Sequence, residues 1–235
     1  MPSASENDSC LGDPNFAVIC SFLQHYADIL KIMNPTFKTL QEMIESKNDV
    51  ARELVNTVMR LLYKCNISVD RERWERRLAK FCRTYSDDDA DTILRLGFRN
   101  LKTTVKLRVI KELLEYQFEH NIEFKKIVNE MTPDKQRCKP LMEDDGGHLF
   151  WTMTDSNDDT VVYKENVKKK SWNVLAHDRD ELTKLIKRNA PATPPRRTSA
   201  RRSLANATIR PSSEPKAKDL LKELRLSIGR LKDVA

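Results

Sequence analysis

Apolar positions recur at helical spacing over roughly the first 130 residues, and the period then shortens. Asp13-Pro14 fits an N-cap with proline at the first helical position. Behind it Val18, Ile19, Phe22, Leu23, Tyr26, Ile29 and Leu30 make one stripe and predict a first helix. Asn34-Pro35-Thr36 breaks that helix and starts a short second one through Leu40 and Ile44. Asn48 or Asp49 can cap a third, with Val50, Leu54, Val58, Leu61 and Leu62 inward. Ser68 to Asp70 opens a fourth, whose Trp74, Leu78, Phe81, Cys82 and Tyr85 fall at i, i+4, i+7, i+8 and i+11.

Ser86 precedes a run of aspartates, an arrangement favoured by the helix dipole, and the helix that follows runs to Leu96 and stops at Gly97. A sixth helix carries Leu107, Ile110, Leu113, Leu114 and Phe118. A seventh carries Phe124, Ile127, Val128 and Met131 before Thr132-Pro133 ends it. After Pro140 the residues become β-branched and aromatic between polar turns. His148 to Met153, Thr160 to Glu165 and Ser171 to Ala176 therefore predict a three-stranded antiparallel meander over 148–176. Asp178 then caps a closing helix over 178–189.

Both ends read differently. Residues 1–12 are polar and acidic without a period and predict a frayed lead-in with no visible signal peptide. From Ala190 to Pro215 there are five prolines, seven serines and threonines and five arginines, with almost nothing to bury, so 190–217 predicts a disordered basic linker. Leu220, Leu221, Leu224, Ile228 and Leu231 restore a helical stripe over 218–233, too short to persist alone and in need of a partner. The fold class expected is thus mostly α: a helical bundle, a small meander, then a basic tail with a terminal amphipathic helix.

The net charge of +7 changes this picture only once it is located. Residues 190–235 hold eleven Lys/Arg and four Asp/Glu, so the excess sits in the tail and the first 189 residues are balanced at 31 and 31. A neutral body with a basic tail predicts a body that binds protein and a tail drawn to polyanions. The five cysteines are scattered without a CxxC pair or histidines at ligand spacing, so no metal site is expected and reduced, buried thiols are. No apolar run approaches the roughly 20 residues that span a bilayer, and the chain reads as intracellular. Five glycines leave neither GxGxxG nor GxxxxGK[ST], and the four histidines have no nucleophile in a recognisable motif. No catalytic residue, cofactor or small-molecule substrate is therefore expected, nor a Cys/His finger of the kind that reads histone tails.

Three stretches carry the resemblance to a family: DPNFAVICSFLQHYADIL from Asp13, ELVNTVMRLLYKCNISVDRERWERRLAKFC, and KLRVIKELLEYQFEHNIEFKKIVNE. They resemble the start of the remodelling and spacing factor family, the large subunits that pair with imitation-switch (ISWI) chromatin-remodelling ATPases. Residues 13–85 look like its helical DDT domain, and residues 86–189 like the WHIM motifs that follow. The resemblance implies a nuclear, non-enzymatic scaffold that docks an ISWI ATPase and helps to position linker DNA for nucleosome spacing. Two rivals are a chromatin protein that binds DNA directly through its basic tail, and a short competitor of a longer paralogue for the same ATPase.

Within KPLMEDDGGHLFWTM, the acidic turn Glu143-Asp144-Asp145 with Gly146-Gly147 leads into an aromatic strand. Read from its residues, this is the start of a hairpin whose glycines supply positive φ and whose Phe150 and Trp151 fill a small core. The family resemblance makes it a docking turn: Asp144 occupies the acid of a G-x-D signature, and Gly147, Phe150 and Trp151 match the G-x-x-[YF]-W that follows. Met142 stands where the signature has its first glycine. Lys168, Lys169 and Lys170 are either a solvated hairpin loop or contacts to DNA phosphates. Arg71, Arg73, Arg76 and Arg77 around Trp74 read as a wet helix face. In the tail, Arg196, Arg197, Arg201 and Arg202 are candidate DNA contacts, and Thr193, Ser199 and Ser203 candidate phosphosites whose phosphates would cancel the tail's charge. A plain linker is the alternative there.

Overall fold

A computed structural model describes residues 9–47, 51–132 and 138–189. After a 3-10 turn over Cys10–Gly12 come α1 (Pro14–Leu30), α2 (Phe37–Glu45), α3 (Ala51–Lys64), α4 (Trp74–Cys82) and α5 (Asp87–Leu96). A second 3-10 turn (Phe98–Asn100), α6 (Thr103–His120) and α7 (Ile122–Glu130) complete the bundle. The sheet follows as β1 (Met142–Glu143), β2 (His148–Thr154), β3 (Thr160–Asn166) and β4 (Ser171–Ala176), closed by α8 (Arg179–Asn189).

The helix boundaries follow from local chemistry. Asp13 accepts a hydrogen bond from the Asn15 N–H at 2.8 Å, with Pro14 at the first helical position. Thr36 and Ser86 cap α2 and α5 in the same way, each accepting from the N–H three residues on. Gly97, at φ +75°, ends α5 in the left-handed region where a side chain is strained. The start of α4 differs from expectation. The Asp70 carboxylate takes the N–H groups of Glu72 and Arg73 at 3.0 and 2.7 Å and forms a turn, and regular helix begins only at Trp74.

One buried cluster runs from Cys10 through α1 to α7 and on to Met153, Val161 and Tyr163 of the sheet. Residues 13–85 and 86–189 therefore share a core, and Cys10, within the expected lead-in, belongs to it. Where α1 meets α6 and α7, Phe22, Tyr26, Phe118 and Phe124 pack ring against ring, with Tyr26 edge-on to Phe118 and Phe124 at 5.5 and 5.4 Å. Val18 and Ile127, expected on the apolar stripes, are 42 % and 43 % exposed: each stripe turns slightly, and Phe16 with Ala17, and Phe124 with Val128, take the inner face. Four of the cysteines are buried and Cys138 is exposed, so the expectation of buried thiols fails at that position.

Buried polar groups fasten the helices. Asp89 in α5 receives Nε and Nη2 of Arg108 from α6 at 2.7 and 2.5 Å. The Lys106 ammonium, 2 % exposed as a residue, donates to the carbonyls of Ile44 and Ser46 at 2.8 and 3.0 Å and so holds the end of α2 on α6. Burial pushes its pKa down to about 8, and the neighbouring Lys47 charge adds to the shift. Gln117 donates to the Leu61 and Leu113 carbonyls, each at 3.1 Å, and accepts from Asn121, which in turn caps α7 through the Phe124 N–H.

The sheet has four strands in the order β1-β2-β3-β4, all antiparallel, where the sequence predicted three. The addition is Met142–Glu143, paired with Phe150 and Leu149, a strand of two residues that is too short to show a period. Trp151, Met153, Val161, Tyr163, Trp172 and Val174 join the bundle's core. On the other face Val162 and Ala176 pack with Leu182 of α8, and Leu141 and Met142 lie against them. Asp178 caps that helix by accepting from the Glu181 N–H at 2.8 Å. The expected basic linker, the 218–233 helix and the tail's candidate sites lie outside the described residues, as do Asn48, Asp49 and Val50.

Candidate partner-docking site

Antiparallel pairing brings the two candidate turns to one end of the sheet. His148, the first residue of β2, pairs with Asn166, the last of β3, and Asn166 pairs with Ser171 at the start of β4. The acidic turn 144–147 and the lysine turn 167–170 therefore leave the sheet side by side.

The acidic turn is built around Asp144. Its backbone N–H donates to the His148 carbonyl at 3.0 Å, and its own carbonyl accepts from Gly147 N–H at 3.0 Å. Its Oδ1 accepts from the N–H groups of Gly146 at 2.9 Å and His148 at 3.0 Å. The His148 ring closes on both carboxylate oxygens, with Nδ1 2.9 Å from each. Lys164 Nζ stands 3.8 Å from Oδ2 and also lies over the Phe150 ring, 5.5 Å from its centroid. Partial burial would raise the Asp144 carboxyl, but the His148 N–H and ring, with the Gly146 N–H, outweigh it and hold the pKa below its usual value. The carboxylate thus organises the turn. The exposed acids on either side of it are Glu143 and Asp145.

Both glycines are required. Gly147 sits at φ +73°, and a Cβ on Gly146 would lie 2.9 Å from the His148 ring and 3.1 Å from Asp144 Oδ1. Met142 needs no such freedom: it is a strand residue paired with Phe150, and its side chain packs toward α8.

A hydrogen-bond chain joins the two turns. Asn166 Nδ2 meets His148 Nε2 at 3.1 Å, and Asn166 Oδ1 accepts from Lys169 N–H at 2.9 Å. Lys168, Lys169 and Lys170 are all exposed, and Lys170 takes φ +49° to re-enter β4. Trp151, on the bundle side, donates its Nε1–H to Glu165 at 2.9 Å, while Phe150 lies on the opposite face beside Lys164. The four residues of the expected docking set thus divide: Asp144, Gly147 and Phe150 belong to the turn and its face, and Trp151 faces the core. His148, Lys164 and Asn166 belong to the same cluster and were not singled out in the sequence, although the i,i+4 spacing of Asp144 and His148 is a signal for the first.

Among the described residues, His177, Asp178 and Glu181 are the cluster with atoms close enough to hold a cation, all within 4.8 Å. They are occupied with one another: His177 Nδ1 meets Glu181 Oε2 at 2.7 Å, and the His177 N–H donates to the same carboxylate at 3.2 Å. Together with the Asp178 cap on the Glu181 N–H, this ties the chain entering α8 to its first turn in a variant of the capping box, with the return bond one residue ahead of the N-cap.

A helical bundle bearing a small sheet, with an acidic and a basic turn at one sheet end, is the class of structure these residues define. Over 182 residues, 74 % of this chain, the sequence is 31 % identical to human Remodeling and spacing factor 1. The chain is related to the remodelling and spacing factor family, and it spans about 13 % of the length of that relative. No family model matches the chain, and no solved structure matches it.

Proposed function

We propose that this chain is a non-catalytic, nuclear accessory subunit of a chromatin-remodelling assembly, which docks an ISWI-type ATPase and helps to position linker DNA. The DDT-like span 13–85 and the WHIM-like span 86–189 are its two functional regions in this reading. The observation that carries it is the joining of the acidic turn to the lysine turn through His148 and Asn166. The name of the human relative, Remodeling and spacing factor 1, supports the chromatin setting.

Asp144 acts mainly through geometry. Its carboxylate holds the turn, so that Glu143 and Asp145 face outward toward basic residues of the ATPase, with Phe150 as the apolar neighbour. Lys168, Lys169 and Lys170 meet DNA phosphates beside that surface, and each phosphate neutralised adds salt-dependent affinity. A nucleosome-spacing assay with the full chain and a purified ISWI ATPase tests the pairing of roles. Lys168, Lys169 and Lys170 changed together to Ala should leave ATPase association intact, alter spacing, and lower the salt slope of DNA binding by about one unit for each phosphate no longer neutralised. If the full chain neither associates with the ATPase nor changes spacing, the proposal fails.

A further inference from the structure

Helix α4 presents a second charged surface, separate in composition from the sheet turns. Its inner positions Leu78, Ala79, Phe81 and Cys82 are buried, while Arg73, Arg76, Arg77, Lys80 and Arg83 are all exposed. Arg73, Arg76, Lys80 and Arg83 follow one another at intervals of three and four residues, so they lie along one face. Among the described residues the acid paired with this row is Asp91, 3.5 Å from Arg83, with both side chains well exposed. Such a pair is worth little in water. A run of basic residues on a helix is ordinarily just a solvated face, but here it borders an apolar groove. Arg76, Lys80, Arg83 and Thr84 surround Ala79 and Leu94 in a hollow of about 630 Å³ between α4 and α5. Leu94, on α5, is 50 % exposed at its edge although it is a large apolar side chain.

The chemistry of this hollow selects its occupant. Basic rims over an apolar floor complement a segment carrying carboxylates around a large apolar side chain. A nucleic acid fits the site less well. The row from Arg73 to Arg83 extends one residue beyond each end of α4, about 15 Å in all, and exposed Asp91 of α5 stands at its Arg83 end, with exposed Asp87 and Asp88 one turn earlier in α5. A long polyanion would meet those carboxylates, whereas a short peptide with one apolar anchor need not. We propose that the α4–α5 groove is a docking site for an acidic peptide segment of a partner protein, anchored by a large apolar residue against the exposed Leu94. This surface is independent of the sheet turns and does not rest on the function proposed for them.

The test uses the full chain and short displayed peptides, randomised with a bias toward Asp, Glu and large apolar residues. They are selected on the wild type and counter-selected on R76E/K80E. Selected peptides should combine acids with an apolar residue, bind the wild type, and lose roughly tenfold or more affinity to R76E/K80E. Leu94→Ser should weaken the same peptides, while a control peptide with its apolar residue replaced by Ser should bind poorly to all forms. All three positions are exposed, so thermal melting should be unchanged in each variant. The proposal is overturned if no selected peptide distinguishes wild type from R76E/K80E. It is equally overturned if a DNA duplex is lost with R76E/K80E while the peptides are not, which would make the row a nucleic-acid contact.

Discussion

Removing Arg108 should uncover a buried carboxylate. Asp89 is 3 % exposed, lies in the first turn of α5, and has both oxygens taken by Nε and Nη2 of Arg108 at 2.7 and 2.5 Å. Arg108→Met keeps most of the aliphatic stem but deletes the guanidinium. Breaking a fully buried pair from one side costs about 3–5 kcal/mol, because the remaining charge stays desolvated. Two features lower that figure here. The Arg108 side chain is 46 % exposed, so water can reach the vacated site, and the N-terminus of α5 favours a negative charge. The expected loss is therefore about 2–3 kcal/mol. For a chain of this size that corresponds to a fall in Tm of roughly 4–12 °C, at about 2–4 °C per kcal/mol. Thermal melting followed by far-UV circular dichroism measures it. Asp89→Asn/Arg108→Met should recover a large part of the loss, since the double variant leaves no unpaired charge. A drop under about 2 °C for Arg108→Met would refute the reasoning, and so would a double variant no more stable than the single one.

Other variants probe separate links. Lys106 has its pKa lowered from 10.5 to about 8, so between those values the unfolded chain binds more protons than the folded one. Stability should accordingly rise with pH through that window, by up to roughly 3 kcal/mol, and Lys106→Met should flatten the rise when urea unfolding is repeated across it. Gln117→Leu takes the side-chain partner from the Asn121 NH2 group and from the Leu61 carbonyl and should cost about 2–3 kcal/mol by the same unfolding measurement. Gly146→Ala drives a methyl into the His148 ring, so the imidazole nitrogen shifts read by NMR should report that the ring has left Asp144, while the melting point of the bundle barely moves.

Much of the helical architecture is written locally. Asp13-Pro14, Thr36, Ser86, Gly97 and Asp178 each act within four residues of their position, and each ends or starts a helix where the sequence places it. Distant partners are what the sequence conceals. Strand β1 exists only because Met142 and Glu143 find β2, and two residues carry no period. Nothing near Lys106 or Asp89 in sequence indicates that one meets carbonyls 60 and 62 residues away and the other an arginine 19 residues on. At the candidate site the acidic turn and the lysine turn are each visible as residues. Their meeting requires the β2–β3 register, and the link through His148 and Asn166 requires it too. Asp144 illustrates the difference most clearly: in sequence it is an acid on a turn, and in the fold its carboxylate is held by that turn's own donors.

Direct titration of a purified ISWI ATPase against the full chain, wild type and E143K/D145K, bears most closely on the docking proposal. Saturable binding by the wild type is predicted, weakened about tenfold or more by the two charge reversals at unchanged melting temperature. Absence of binding by the wild type, or equal binding by both forms, would contradict a docking role for the acidic turn.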